Sequence, residues 1–316
     1  MKNVIILLLF LSFVGCKSEP RKEYILADPE LVPEGIAFSR RTNSFYLTSL
    51  AKAKIVKVNR TTGEQEDFIG ELEFEYQPGV GIYVDDERNR LYALGGYYLL
   101  KDSIAALYAF DLTTQELVKR VDMPHTGEHF LNDLIMDKDG NLYMTDTKDS
   151  SVYRLNLGSD SLELFFKSPE IKYPNGIAIS DDNTKLYIAS FPDGVRILDL
   201  KEMKILNQVD TAGLSNGIDG LEFYHGNLYA VENGVRANSN NFRKLILNKD
   251  QDQIMGVEVI DSNNPELELP LTFCMADHQA IVIANSNLQY WNQTSLQFDL
   301  EPDSLKNTKL LVYNLK

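Results

Sequence analysis

The sequence predicts an all-β fold: a single six-bladed β-propeller spanning residues 23–316. Three observations predict it. A unit of apolar strand, turn rich in Asp, Asn and Gly, and second strand occurs six times; the copies lie 43 to 52 residues apart; and no window carries a long helical period. The six openings are Pro33-Glu34-Gly35-Ile36, Gly79-Val80-Gly81-Ile82, Leu131-Asn132-Asp133-Leu134, Pro174-Asn175-Gly176-Ile177, Ile218-Asp219-Gly220-Leu221 and Pro270-Leu271-Thr272-Phe273. The paired strands carry Phe45-Tyr46, Leu91-Tyr92, Leu142-Tyr143, Leu186-Tyr187, Leu228-Tyr229 and Ile281-Val282. Turn signals such as Asp139-Gly140-Asn141 and His225-Gly226-Asn227 join the two strands as a hairpin. Third and fourth strands show in several units, for example Lys54 to Val58 and Val152 to Leu155.

Six such units close into a ring, which removes most exposed sheet edges. Tyr24-Ile25-Leu26 is expected to pair beside Leu310 to Tyr313 and complete the circle. The stretch from Arg236 to Pro270 is the longest between inner strands. It is a loop over the mouth or an outer hairpin, and the strand-like runs Lys244 to Leu247 and Val257 to Ile260 favour the hairpin.

Composition agrees with a large folded domain, at 44% hydrophobic and 24% charged residues. A net charge of −15 repels phosphate backbones, so nucleic acid is excluded as a partner. Of the two cysteines, Cys274 lies in the apolar run Leu271 to Ala276 and reads as a buried, inert thiol. No disulfide framework is available.

The chain begins with a targeting pattern. Lys2 precedes an apolar stretch, Val4 to Val14, too short for a stable membrane span. It ends in Phe13-Val14-Gly15-Cys16, which resembles the lipobox of bacterial lipoproteins, with Phe where Leu is commoner. That resemblance implies a signal peptide over residues 1–15, a lipidated Cys16 and a polar tether over residues 16–22. The protein would then sit outside the cytoplasm in the cell envelope, with the lipid as its sole membrane contact. An ordinary secretory signal cleaved nearby is the alternative.

The second opening residue of each unit starts the innermost strand, so the six converge on the axis at one end of the channel. They are Glu34, Val80, Asn132, Asn175, Asp219 and Leu271. Four are oxygen donors. Two carboxylates and two amides at the mouth of an apolar channel are costly unless something binds them. Their oxygens suit a hard cation such as Ca2+, whereas zinc or copper calls for His or Cys. Any one of these residues alone reads as an ordinary turn residue; the register of four points to metal binding.

These openings resemble the motifs of the SMP-30/gluconolactonase/LRE-like family, whose superfamily includes the paraoxonases. Pro33-Glu34-Gly35, Asn132-Asp133, Pro174 to Ile177 followed by Leu186-Tyr187, and Asp219-Gly220-Leu221 carry the likeness. It implies a six-bladed propeller with catalytic calcium that hydrolyses lactones or related esters. Glu34, Asn175 and Asp219 would bind the metal, and Asn132 would be a fourth ligand or a substrate contact. Asp219 would also act as base or nucleophile.

Two departures bear on the substrate. Sugar-lactonase members carry Arg where this chain has Phe130, so a sugar-acid lactone loses its anchor. The paraoxonase His in the second blade is absent from Leu94-Gly95-Gly96-Tyr97. His125 and His129 lie close enough to Asn132 to reach the mouth, and Phe130, Tyr97 and Tyr98 would make it more aromatic. Phe130 and His129 are therefore expected as substrate contacts. The expected ligand is a lactone or ester less polar than a sugar acid. The alternative is a non-catalytic, surface-tethered propeller that binds a glycan or protein; a strictosidine-synthase-like condensation lacks an assignable Glu base.

Overall fold

The computed structural model describes residues 23–97, 105–124, 127–233 and 240–315. Six four-stranded antiparallel sheets form the blades of a propeller. Their innermost strands are Pro33–Ser39, Gly79–Asp85, Leu131–Met136, Pro174–Ile179, Ile218–Tyr224 and Phe273–Ala276. In the first five blades the strands pair in sequence order from the inside outwards.

The recurrent Leu-Tyr pair has a physical reason. Neighbouring residues of a strand point to opposite faces, and the second strand of each blade has another blade on either side. Leu186 therefore joins Tyr143, Val152 and Ile177 between the third and fourth blades, while Tyr187 joins Leu221 and Leu228 between the fourth and fifth. Buried on both faces, the strand Ser44–Ser49 shows no polar alternation.

The sixth blade joins the chain ends. Its strands are Phe273–Ala276, Gln279–Ile283, Lys309–Asn314 and, outermost, Glu23–Ile25, with Tyr24 opposite Leu310. The expected closure is thus observed. Tyr24 also grips the first blade: its ring meets Phe45 edge-on at 5.2 Å, and its hydroxyl donates to the Arg60 carbonyl at 2.8 Å. The long fifth-blade stretch forms the outer hairpin Asn240–Leu247 and Ile254–Ser262, as its strand-like runs favoured. Cys274 is buried and free.

One element has no counterpart in the sequence reading. Between Ile283 and Lys309 the sixth blade carries an insertion with the small hairpin Trp291–Asn292 and Gln297–Phe298. It leaves the blade beside its inner opening, where the Leu271 amide bonds the Ile283 carbonyl. Leu288, Trp291 and Phe298 pack on a cluster containing Val32, Leu50, Val80, Leu94 and Phe130. Asn287 anchors the insertion by donating to the carbonyls of Pro29 and Lys306.

Tyr24→Ala is expected to cost about 3 kcal/mol, on the scale of other buried aromatic truncations, and to lower Tm by several degrees. Chemical denaturation measures it. An unchanged unfolding midpoint would show that closure does not depend on this residue.

Candidate active site at the channel mouth

The mouth is built by β-bulges. In each of the first five blades the inner hairpin slips register at the opening, between Pro33 and Ile36, Gly79 and Ile82, Leu131 and Leu134, Pro174 and Ile177, and Ile218 and Leu221. Glu34, Val80, Asn132, Asn175 and Asp219 each lie inside such a slip, and a bulge re-aims a side chain that regular pairing would hold. In the sixth blade Leu271 precedes the inner strand.

Close approach of neighbouring blades explains the glycines. A Cβ on Gly35 would lie 2.2 Å from the Val80 carbonyl oxygen, and one on Gly176 would lie 2.4 Å from that of Asp219. The third blade places Asp133 in this position. Its carboxylate accepts the Leu134 amide at 2.8 Å and the Ile177 amide of the next blade at 3.0 Å.

Threonines in the second strands, or just after them, complete the frame. Thr48 accepts the Gly35 amide and donates to the Val80 carbonyl at 2.6 Å. Thr145 accepts the Asp133 amide and donates to the Asn175 carbonyl at 2.7 Å. Thr147 accepts the Asn132 side-chain amide at 3.1 Å and donates to the Pro174 carbonyl. Each hydroxyl satisfies backbone groups freed by a bulge and links one blade to the next.

All four expected donors, Glu34, Asn132, Asn175 and Asp219, line one cavity of about 190 Å³, together with Asp133 and Glu222. The aliphatic members Val80 and Leu271 are buried. Asn233, at the end of the fifth blade's second strand, donates to Asp219 Oδ2 at 2.7 Å.

Burial, aided by the nearby Asp219 and Asp133 carboxylates, holds Glu34 well above the usual carboxylate range. Burial also pushes Asp219 up to about 7, against the opposing hydrogen bonds of Asn233 and Asn175. Asp133 is raised to about 6 by burial. Among the described residues no group of three or more His, Cys, Asp or Glu side chains has a metal-holding arrangement. The mouth instead combines two carboxylates with two amides, an all-oxygen set that fits a hard divalent cation.

Phe130 and His129, the expected substrate contacts, are not part of the cavity wall. Phe130 is 8% exposed and packs within the cluster under the sixth-blade insertion. His129 Nδ1 lies 2.6 Å from Asp146 Oδ2, while its buried Nε2 has no hydrogen-bond partner. Tyr97 ends a described stretch; Tyr98, His125 and the targeting segment with Cys16 lie outside the described residues. His225 and His278 occupy hairpin turns at the other end of the inner strands; the Tyr224 hydroxyl lies 2.7 Å from His278 Nδ1 and the Tyr224 ring stacks on His225 at 4.0 Å. Asp277, in the same turn as His278, is paired with Arg40 and Arg60.

Glu222 was not anticipated. Burial, and then Asp133, push it up to about 8 from an ordinary 4.5. The folded protein therefore holds this proton where the unfolded chain has released it, so folding is penalised increasingly as pH rises from about 4.5 to 8. Glu222→Gln is expected to match wild type near pH 4 and to exceed it above pH 8 by up to a few kcal/mol. Denaturation midpoints of the cation-free proteins at both pH values test this; a constant difference across pH would refute it.

The sequence pattern of the SMP-30/Gluconolactonase/LRE-like region matches residues 32–221. No curated protein matches the chain. Among solved structures, it is similar to regucalcin, a calcium-binding protein from Agrobacterium tumefaciens, with 15% identity and a TM-score of 0.61 over 91% of this chain and 92% of that one. A gluconolactonase from Xanthomonas campestris gives 15% identity and a TM-score of 0.59 over 92% and 88% of the two chains. Virginiamycin B lyase from Staphylococcus aureus gives 13% and 0.60 over 83% and 80%. At such identities the likeness establishes the fold, and other propellers share it. The matched pattern covers more than half of the chain and contains the first four bulged openings and the fifth through Leu221, and on that ground the chain belongs to the SMP-30/gluconolactonase/LRE-like family.

Proposed function

We propose that this protein is a calcium-dependent hydrolase of lactones or related esters, acting at the channel mouth. The observation that carries this reading is the convergence of a half-buried Glu34, a buried Asp219 and two amides on one cavity, each delivered by a bulge. Family membership and the gluconolactonase and regucalcin folds support it. Glu34, Asn132, Asn175 and Asp219 would hold the cation. Bound calcium would supply Lewis-acid polarisation of the substrate carbonyl and balance the oxyanion.

Asp219 takes a proton from water as the water oxygen bonds to the carbonyl carbon. The carbon–oxygen bond to the leaving alcohol then breaks, and the proton passes to that oxygen. Asn233 fixes Asp219 Oδ2 and so orients the carboxylate. With Phe130 in place of an anchoring Arg, and buried, the site lacks that cationic grip on a sugar acid. An apolar lactone or aryl ester fits better.

Calcium is expected to raise Tm by mass action, and Glu34→Gln to weaken calcium binding by removing one of the ring's two carboxylates. Asp219→Asn should retain weaker calcium binding but lose on the order of 10²-fold in turnover at saturating calcium. A screen of lactones and aryl esters, with calcium titration by calorimetry, measures both. Calcium binding without turnover of any substrate would favour a binding platform for a glycan or protein; no calcium response would reject the metal assignment.

We also propose, from the Phe13-Val14-Gly15-Cys16 pattern, that the protein sits in the cell envelope, tethered through Cys16. Cys16→Ala should abolish fatty-acid labelling and leave the precursor uncleaved. Persistent labelling would reject this anchor.

A further inference from the structure

The sixth-blade insertion walls a second cavity. This cleft of about 760 Å³ lies at the mouth end of the first blade and shares no lining residue with the channel. One wall is the small hairpin, where Trp291 stands opposite Phe298 with their rings 4.9 Å apart. Leu296 and Leu300 extend its apolar surface. The facing wall is Ala51 and Lys52, just after Leu50, whose amide bonds the Val32 carbonyl.

The hairpin is held by its own backbone. Asn292 Oδ1 accepts the amides of Thr294 and Ser295 at 3.0 and 3.1 Å. The Leu296 amide donates to the Asn292 carbonyl, and the Asp299 amide to the Tyr290 carbonyl, each at 2.8 Å. Trp291 and Phe298 are half-buried; they pack on the interblade cluster and also line the cleft. The aromatic wall is therefore in place before any ligand arrives.

The charge of the cleft is one-sided. Glu30, Glu71, Asp299 and Glu301 line it against the single ammonium of Lys52. That ammonium is already engaged, 2.9 Å from Asp28 and 3.1 Å from Glu30. Glu71, Asp299 and Glu301 are exposed and have no ion-pair partner among the described residues. Exposed acids elsewhere, such as Glu163 and Asp277, are paired with arginine. Unpaired surface carboxylates alone are merely solvated. Beside a tryptophan, in a cleft of small-molecule size, they add a negative field to an apolar ring surface.

We propose that this cleft is a second ligand site, which binds a small organic cation: an ammonium or guanidinium group carried beside an aryl or other flat apolar body. Trp291 and Phe298 take the apolar body, and Glu71, Asp299 and Glu301 face the charge. The site requires neither calcium nor hydrolysis, so it stands if the hydrolase reading fails.

Trp291 is the chain's single tryptophan, so its fluorescence reads this cleft. Wild type is titrated at low salt with benzyltrimethylammonium and, for comparison, with phenylacetate. The cation should change the emission saturably and phenylacetate should not, and added salt should weaken binding by screening. The triple variant Glu71→Gln/Asp299→Asn/Glu301→Gln should bind the cation about tenfold more weakly, as three nearby charges are lost. Its Tm should stay within a few degrees of wild type, because the groups removed make no ion pair. Asp219→Asn should bind the cation as wild type does. No saturable response, equal affinity in the triple variant, or equal binding of phenylacetate overturns the proposal. Binding lost in Asp219→Asn but kept in the triple variant places the cation in the channel and overturns it too. If a capped Phe-Lys-Phe tripeptide binds more than about tenfold tighter than the small cation, the occupant is a basic protein segment and the small-molecule assignment fails.

Discussion

Six innermost strands must meet around one axis, and the approach of each backbone to the next at the mouth governs the rest of the molecule. Gly35 and Gly176 have no room for a side chain because a carbonyl of the adjacent blade occupies that space. Contact this close takes the opening out of regular pairing, and the resulting bulge points Glu34, Asn132, Asn175 and Asp219 into the cavity. Freed amides and carbonyls then require partners, which Thr48, Thr145 and Thr147 provide across the blade boundaries. The donor geometry is therefore a consequence of ring closure. Glu23–Ile25, the outermost strand of the last blade, holds the ring shut and so contributes to a site it never touches.

The same cavity gathers Glu34, Asp133, Asp219 and Glu222. Desolvation disfavours each carboxylate, and neighbouring acids add to the effect at Glu34, Asp219 and Glu222. Asp133 differs from the others in having both oxygens engaged by backbone amides, which makes it part of the frame. Glu34 has no comparable pair of donors to oppose its burial. Such an arrangement works against the stability of the empty protein, a common cost of a binding site. The divalent cation proposed for this site would reverse the sign of the local interaction, turning mutual repulsion into shared attraction.

The fold was legible because its signals are local and repeated. A Leu-Tyr pair fills two interblade layers at once, and a glycine after the slot residue records a steric requirement that recurs around the ring. The supporting polar groups carried a usable signal as well. Thr48 and Thr145 each stand two residues after the strand's Tyr46 or Tyr143, and Asn233 stands four after Tyr229. The insertion after Ile283 was not legible, because its short hairpin has no sustained period and depends on contacts with distant blades. Glu222 looks like an ordinary outward residue of a half-buried strand; ring geometry turns it into the channel.

Equal offset from a cavity-facing residue fixes a side chain's place along the chain but not its direction. Phe130 and Tyr173 share that offset. Phe130 has no left-handed backbone and is drawn into the apolar layer with Leu94, whereas Tyr173 is left-handed and stays exposed. Backbone conformation alone does not decide this, since Val32 at the same offset is left-handed too and is buried in that layer. The bulged strands themselves are tied to their neighbours on both sides and tolerate little change. The entry segments in front of them are bonded by only a few backbone groups, as Tyr173 is to Phe191. Variation in such segments can alter what the mouth receives without disturbing the donors beneath it, which is how one propeller frame serves different chemistries.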